Sequence, residues 1–158
     1  MTTQNIKTKI IPKEKAVFWL DRNGRWHNKD GAFEHKKIIN FFHSAIKKDK
    51  DGYYLSQDLD THTEKVYFKY EETALFVFDI IKNEEEIILL LNTKKRIRLE
   101  PEKLFIKNDS LYMNAGEELI KFDSRSMMKI SDMLEFDEKR YFIKIKDKKY
   151  QIRLLNFI

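Results

Sequence analysis

Apolar residues follow two rhythms along this chain, one helical and one extended, and the switches between them mark out its elements. From Glu34 to Lys48, the positions Ile38, Ile39, Phe41, Phe42, Ala45 and Ile46 recur at the spacing that gathers apolar side chains on one helix face. Lys36, Lys37, Lys47 and Lys48 flank that stripe, and the DKDG turn, where Gly52 can take a positive φ, ends the predicted helix. The period then becomes two: Val66, Phe68 and Tyr70 alternate with Lys65, Tyr67 and Lys69, as in a half-buried strand. Two unbroken apolar runs, Leu75 to Ile81 and Ile87 to Leu91, flank the polar KNEEE and predict a central hairpin buried on both faces. Arg96 to Leu99 alternates again before Pro101 ends it. Short strands around residues 105–107, 111–113 and 118–122 follow, then a second helix from Ser124 to Leu134 capped by Asp123 or Ser124. A terminal hairpin pairs Tyr141 to Ile145 with Tyr150 to Leu154. The expected core is drawn from Phe41, Phe42, Phe76, Phe78, Leu89 and Leu91, at least four of them almost fully buried.

Two stretches share one plan. NGRWHNKDG, a helix and DKDGYYL have their counterpart in NDSLYMNAGEE, a helix and FDEKRYFI. In each, a polar turn meets an aromatic (Trp26, Tyr112) and a second turn holds Gly31 or Gly116. Helix, acidic turn and paired aromatics (Tyr53 with Tyr54, Tyr141 with Phe142) come next. This order predicts an α+β fold of two repeated hairpin–helix–strand units, with twisted antiparallel sheets sharing one core. The units run over residues 15–85 and 86–158 behind an N-terminal extension, 1–14, with the least costly boundary near residues 83–86.

A chain of 158 residues with 42% hydrophobic and 13% aromatic content can build a core without staples. Cysteine is absent, which excludes disulfides, thiolate nucleophiles and Cys-based zinc sites. MTTQNIKTKIIPKEK lacks the apolar stretch of a secretory signal, and no apolar run approaches a membrane span, so a cytoplasmic protein is expected. The net charge of +5 comes mostly from lysines dispersed among 26 acidic residues, so nucleic acid is a possible partner but not the favoured one.

Candidate chemistry is sparse. Placing Gly52 at the sixth position of a calcium loop puts Lys47 in the first ligand position, so DKDG reads as a β-turn. His35 and His43 miss the i, i+4 spacing of helical metal ligands, and nothing in sequence joins His27 to His62. GxSxG, GxGxxG and GxxxxGK[ST] are all missing. The adjacent acids Glu71–Glu72 and Glu84–Glu85–Glu86 point to opposite faces of any strand and read as solvated turn acids. No catalytic residue, metal ligand or cofactor is assigned. Two surfaces remain. Lys144, Lys146, Lys149 and Arg153, with Lys148 at the tip, form a basic patch on the terminal hairpin, suited to phosphates or an acidic protein and also to guarding an edge. Thr61, His62, Glu64 and Lys65, with Trp26 and Tyr54, form the expected ligand or partner surface, in which Lys65 points outward and Glu64 lies on the side of Val66.

The first half resembles an uncharacterised bacterial family, the one catalogued as domain of unknown function 1285. The matching residues are Asn23-Gly24-Arg25-Trp26, Gly31, Ile38 to Phe42, Asp49 to Tyr54, Thr61 with Glu64-Lys65-Val66, and Tyr70-Glu71-Glu72. The likeness covers roughly residues 15–92. It departs where His62 replaces a proline and where Ala74-Leu75 replaces Pro-Phe. The resemblance implies a divergent relative, an α+β fold of repeated motifs and an association with signalling, and it supplies no catalytic residues. The resulting expectation is a non-enzymatic binding or adaptor module whose partner is another protein or a small ligand. An enzyme with an unrecognised site and a basic nucleic-acid binder stand as alternatives, and the oligomeric state is open.

Overall fold

A computed structural model describes residues 7–83 and 85–155, so Glu84, the first six residues of the expected extension and residues 156–158 lie outside the described residues. The chain divides into two compact units, Met1–Ala74 and Leu75–Ile158. This division precedes the polar turn at residues 83–86, because Leu75–Lys82 forms ladders with strands of the later half.

The first unit contains β1 (Lys7–Ile11), β2 (Phe18–Leu20), β3 (Trp26–Asn28), β4 (Gly31–Ala32), α1 (Lys36–Ser44), β5 (Ile46–Asp49), β6 (Gly52–Asp58), β7 (His62–Tyr67) and β8 (Lys69–Tyr70). They form two four-stranded sheets, ordered β1-β7-β6-β5 and β4-β3-β2-β8. Part of the expected extension is therefore an edge strand. The single strand expected from Lys65 to Tyr70 is instead split at buried Phe68, where the chain leaves one sheet for the other. The pairings β1–β7 and β2–β8 are parallel, which corrects the expectation of purely antiparallel sheets.

Helix α1 is shorter than its periodicity promised. Ser44 Oγ donates to the carbonyls of Asn40 and Phe41, and from Ile46 onward the backbone pairs with β6 instead. The DKDG turn closes that hairpin rather than stopping the helix. The buried side of α1 is turned toward His43. Phe42 packs edge-on against Phe18, Trp26 and Phe33 at 4.9, 5.3 and 5.1 Å, whereas Ile38 and Phe41 stay 46% and 47% exposed. Phe41 is thus not a core residue.

The second unit contains β9 (Leu75–Lys82), β10 (Ile87–Leu91), β11 (Arg96–Arg98), β12 (Leu104–Lys107), β13 (Ser110–Ala115), β14 (Glu118–Phe122), α2 (Ser124–Ile130), β15 (Leu134–Asp137), β16 (Arg140–Ile145) and β17 (Lys148–Leu155). All ten strands and helices except α2 join one sheet, ordered β11-β10-β9-β14-β13-β12-β17-β16-β15, and it too is mixed, with β9–β14 and β12–β17 parallel. The β9–β10 hairpin forms as expected but is not buried throughout. Phe76, Leu89 and Leu91 are buried, and Phe78, Ile88 and Leu90 are half-buried. Three rather than four of the six expected core residues are therefore buried. A bulge at Leu90–Leu91 is pinned by buried Asn92, whose side chain accepts the Phe76 N–H at 3.0 Å and whose own N–H donates to the Phe76 carbonyl. Asp123 caps α2 by accepting the Ser126 N–H at 2.8 Å. Among the described residues, no helix is long and apolar enough to cross a membrane.

Candidate functional site

The residues expected to share one surface are placed in three settings. Trp26 is 1% exposed: its indole N–H donates to His43 Nδ1 at 3.2 Å, and its ring meets Phe68 at 5.0 Å. It is a core residue and leaves the expected surface. The cause is the register Leu20↔Trp26, which puts the indole on the same sheet face as Leu20, the face that α1 covers. Tyr54 and Lys65 do come together, because the pairs Tyr54↔Tyr67 and Ser56↔Lys65 align them on one face of the β1-β7-β6-β5 sheet. Lys65 Nζ lies 4.7 Å from the centre of the Tyr54 ring and 3.3 Å from Asp49 Oδ2. The Tyr67 hydroxyl donates to the same carboxylate oxygen at 2.6 Å. That hydroxyl bond, followed by the Asp51 N–H and Lys65, holds the Asp49 carboxyl below its ordinary value, and Asp49 in turn pushes Tyr67 up to about 12. His62 and Glu64 lie on the opposite face with Val66. His62 Nε2 sits 3.7 Å from Glu64 Oε2, and its Nδ1 is 2.9 Å from Thr61 Oγ1. Glu64 therefore has the partner that its half-buried position calls for.

The sequence offered no signal for a second cluster in this unit. Asp21 Oδ2 meets His27 Nε2 at 2.6 Å, while Oδ1 accepts the N–H groups of Asn23 and Arg25 at 2.8 and 3.0 Å. Burial pushes the Asp21 carboxyl up, but the Arg25 N–H, His27 and the Asn23 N–H together outweigh it and hold the group low. His27 stacks on Trp19 with the rings 9° from parallel, a contact fixed by the cross-strand pair Trp19↔His27.

In the second unit, the terminal hairpin has the expected sidedness. Ile143 and Ile152 are buried, whereas Lys144, Lys149 and Arg153 are exposed. Lys149 is engaged by Glu135 at 3.1 Å and lies over the Phe142 ring at 4.6 Å, so it serves the edge of the sheet. Lys146 and Lys148 take another course. Lys146 has a φ of 56° in the β16–β17 turn, and both residues line a cleft of about 440 Å³. Ile87, Leu99, Pro101, Ile145 and Tyr150 supply its apolar surface, and Arg98, Glu85, Glu86 and Asp147 complete its charged rim. Glu86 pairs with Arg98 at 3.6 Å. The half of this rim supplied by residues 85–101 is remote in sequence from the hairpin, and its residues show only the patterns of turn acids and an alternating strand. Elsewhere in the unit, Lys82 Nζ donates to Asp132 at 2.6 Å, Lys129 bonds Asp79, and these lysines hold both carboxyls low.

No family model matches the chain, and no curated protein matches it. Its fold is similar to that of two solved proteins of the family with domain of unknown function 1285. One, from Silicibacter pomeroyi, aligns with a TM-score of 0.61 at 12% identity over 94% of this chain and 84% of that one. The other, from Shewanella baltica, aligns with a TM-score of 0.52 at 15% identity over 80% of this chain and 98% of that one. The resemblance read from the first half of the sequence is thus met by a shared fold.

Proposed function

We propose that this chain is a non-enzymatic binding module, a divergent relative of the proteins with domain of unknown function 1285. Its setting in the cytoplasm and in signalling follows the sequence reading. The observation that carries the binding function is the cleft of the second unit: three cations and three carboxylates surround an apolar floor that includes Ile87, Leu99 and Tyr150. A rim of both signs over an apolar floor favours a small ligand that itself carries both charges, and the volume lies in the range of about 300–1,000 Å³ that such ligands occupy. Proton-transfer catalysis would want shifted groups converging on one point. The groups displaced most clearly, Asp21, Asp49, Tyr67, Asp79 and Asp132, owe their shifts to local partners, and none of them lines the cleft. Calorimetric titration with free amino acids and dipeptides tests this reading. Saturable binding is expected, weakened about tenfold or more by combined Lys146→Glu and Lys148→Glu, a factor worth about 1.4 kcal/mol. Binding by no member of that panel, or equal affinity in the reversed variant, would sink it.

The internal repeat belongs to the same proposal. Its support is the order of three strands, helix and three strands, met once as β2–β4, α1, β5–β7 and again as β12–β14, α2, β15–β17. Against it, one segment spans two sheets and the other a single sheet. Superposition of residues 18–67 on 104–155 is the deciding measurement, and unmatched strand directions would end the idea.

A further inference from the structure

Trp19 is held in an unusual way for a half-exposed indole. It sits in the middle of the β4-β3-β2-β8 sheet, paired with His27 on one side and Lys69 on the other. These three residues share the sheet face opposite the aromatic core, and that face is open, with Val17 77% and Trp19 39% exposed. One face of the indole is covered by the His27 ring, whose orientation is fixed by the bond to Asp21. A surface tryptophan needs no such support for packing alone. The register places the other face of the indole toward β8, where a cavity of about 280 Å³ opens.

The lining of that cavity carries a charge preference. Trp19 offers a ring, Lys13 and Lys69 offer ammonium groups, and Glu14 and Glu71 offer carboxylates. Glu71 is already engaged, since its Oε2 accepts from the Arg22 backbone N–H at 2.9 Å and from Arg22 Nε at 3.2 Å. Lys13, Lys69 and Glu14 have no ion pair among the described residues. Two free ammonium groups thus face one free carboxylate. An exposed aromatic platform flanked by surplus positive charge is the arrangement that stacks a flat ring and pairs its anionic substituent.

We infer that Trp19, backed by His27 and Asp21 and flanked by Lys13 and Lys69, is a binding site for a small planar aromatic anion. The site lies wholly in the first unit and is independent of the cleft proposed above. The chemistry is shared by nucleotides and by aromatic carboxylic acids, and the cavity of about 280 Å³ falls just below the usual range of about 300–1,000 Å³, which suits a small ligand only partly enclosed.

Proton–nitrogen correlation spectra of the full chain test the assignment, since its two tryptophans give two indole N–H signals. Trp19→Phe assigns them. The probes are adenosine 5′-monophosphate, 2-naphthoate, adenosine and inorganic phosphate. The expected result is a saturable shift of the Trp19 signal with one or both ring anions, while the buried Trp26 signal stays in place. Response to the nucleotide alone identifies a nucleotide site, and response to naphthoate alone identifies an aromatic-acid site. Lys69→Gln should weaken the binding several-fold, with the unmoved Trp26 signal showing that the core is intact. Should that variant lose its Trp26 signal, Lys13→Gln supplies the same reading. Silence with both ring anions, an equal shift with adenosine or with phosphate, or unchanged affinity in the lysine variant would overturn the proposal.

Discussion

Trp26 combines volume with a directed hydrogen bond. Its indole fills the space among Phe18, Phe42 and Phe68 and donates to His43 Nδ1, so truncation leaves a cavity and removes that bond. Trp26→Ala is expected to lower the unfolding free energy by about 3–5 kcal/mol in denaturant titrations. A near-neutral result would contradict the burial described above. From sequence this tryptophan read as surface, because a turn-adjacent aromatic looks available until the register of its strand is known. Asp49 presents the opposite case, a turn acid whose importance lies in a partner eighteen positions away, Tyr67. Its lowered carboxyl contributes stability that is complete above the ordinary carboxylate value and is lost as pH falls through the lower folded one. Tyr67 works on the alkaline side: its raised hydroxyl contributes stability that is complete below the ordinary 10.0 and drains away toward about 12. Asp49→Asn should therefore flatten both arms of the pH–stability profile and bring the Tyr67 titration, followed by NMR, back down toward 10.0. A Tyr67 titration unmoved by that change would show that Asp49 is not its cause.

Elements were legible where periodicity and turn chemistry agreed, and obscure where long-range pairing decided. Helix α2 was readable because Asp123 precedes it with a capping side chain, and Asp123→Ala should cost about 0.5–2 kcal/mol. Helix α1 is overextended in the sequence reading because Ile46 to Lys48 suits a helix locally and is claimed by β6 only in the folded chain. The same difference separates two phenylalanines. Phe76→Ala in β9 should cost about 3–5 kcal/mol, while Phe41→Ala on the open side of α1 should stay near the surface-substitution range of about 0.5 kcal/mol. Equal losses for the two would mean that α1 has been turned the wrong way. The hairpin turns repeat the lesson. Asn108–Asp109 carries residues suited to positive φ, whereas Glu138–Lys139 adopts φ of 47° and 71° with no such chemistry. Replacing Glu138–Lys139 by Asn–Gly should raise stability, on the order of 1 kcal/mol, visible as a higher melting temperature.

At the scale of the whole molecule, the ladders decide what can stand alone. β8 pairs with β2, and β9 pairs with β10 and β14, so each described ladder closes within its own unit. The apolar hairpin at residues 75–91 reads from sequence as a central hairpin, because a sequence shows apolar content but not its partners. In the structure its partners are β11 and β14, both in the later half. Residues 75–158, with Phe76, Leu89, Phe122, Ile130 and Ile143 buried, hold a core of their own. At that size, burial and chain entropy nearly balance, and an uninterrupted sheet with a capped helix favours the folded side. The expected outcome for residues 75–158 expressed separately is a cooperative thermal transition with dispersed amide resonances. A broad, non-cooperative melt with collapsed resonances would show that the second unit needs the first to fold, and that its self-contained ladders are insufficient.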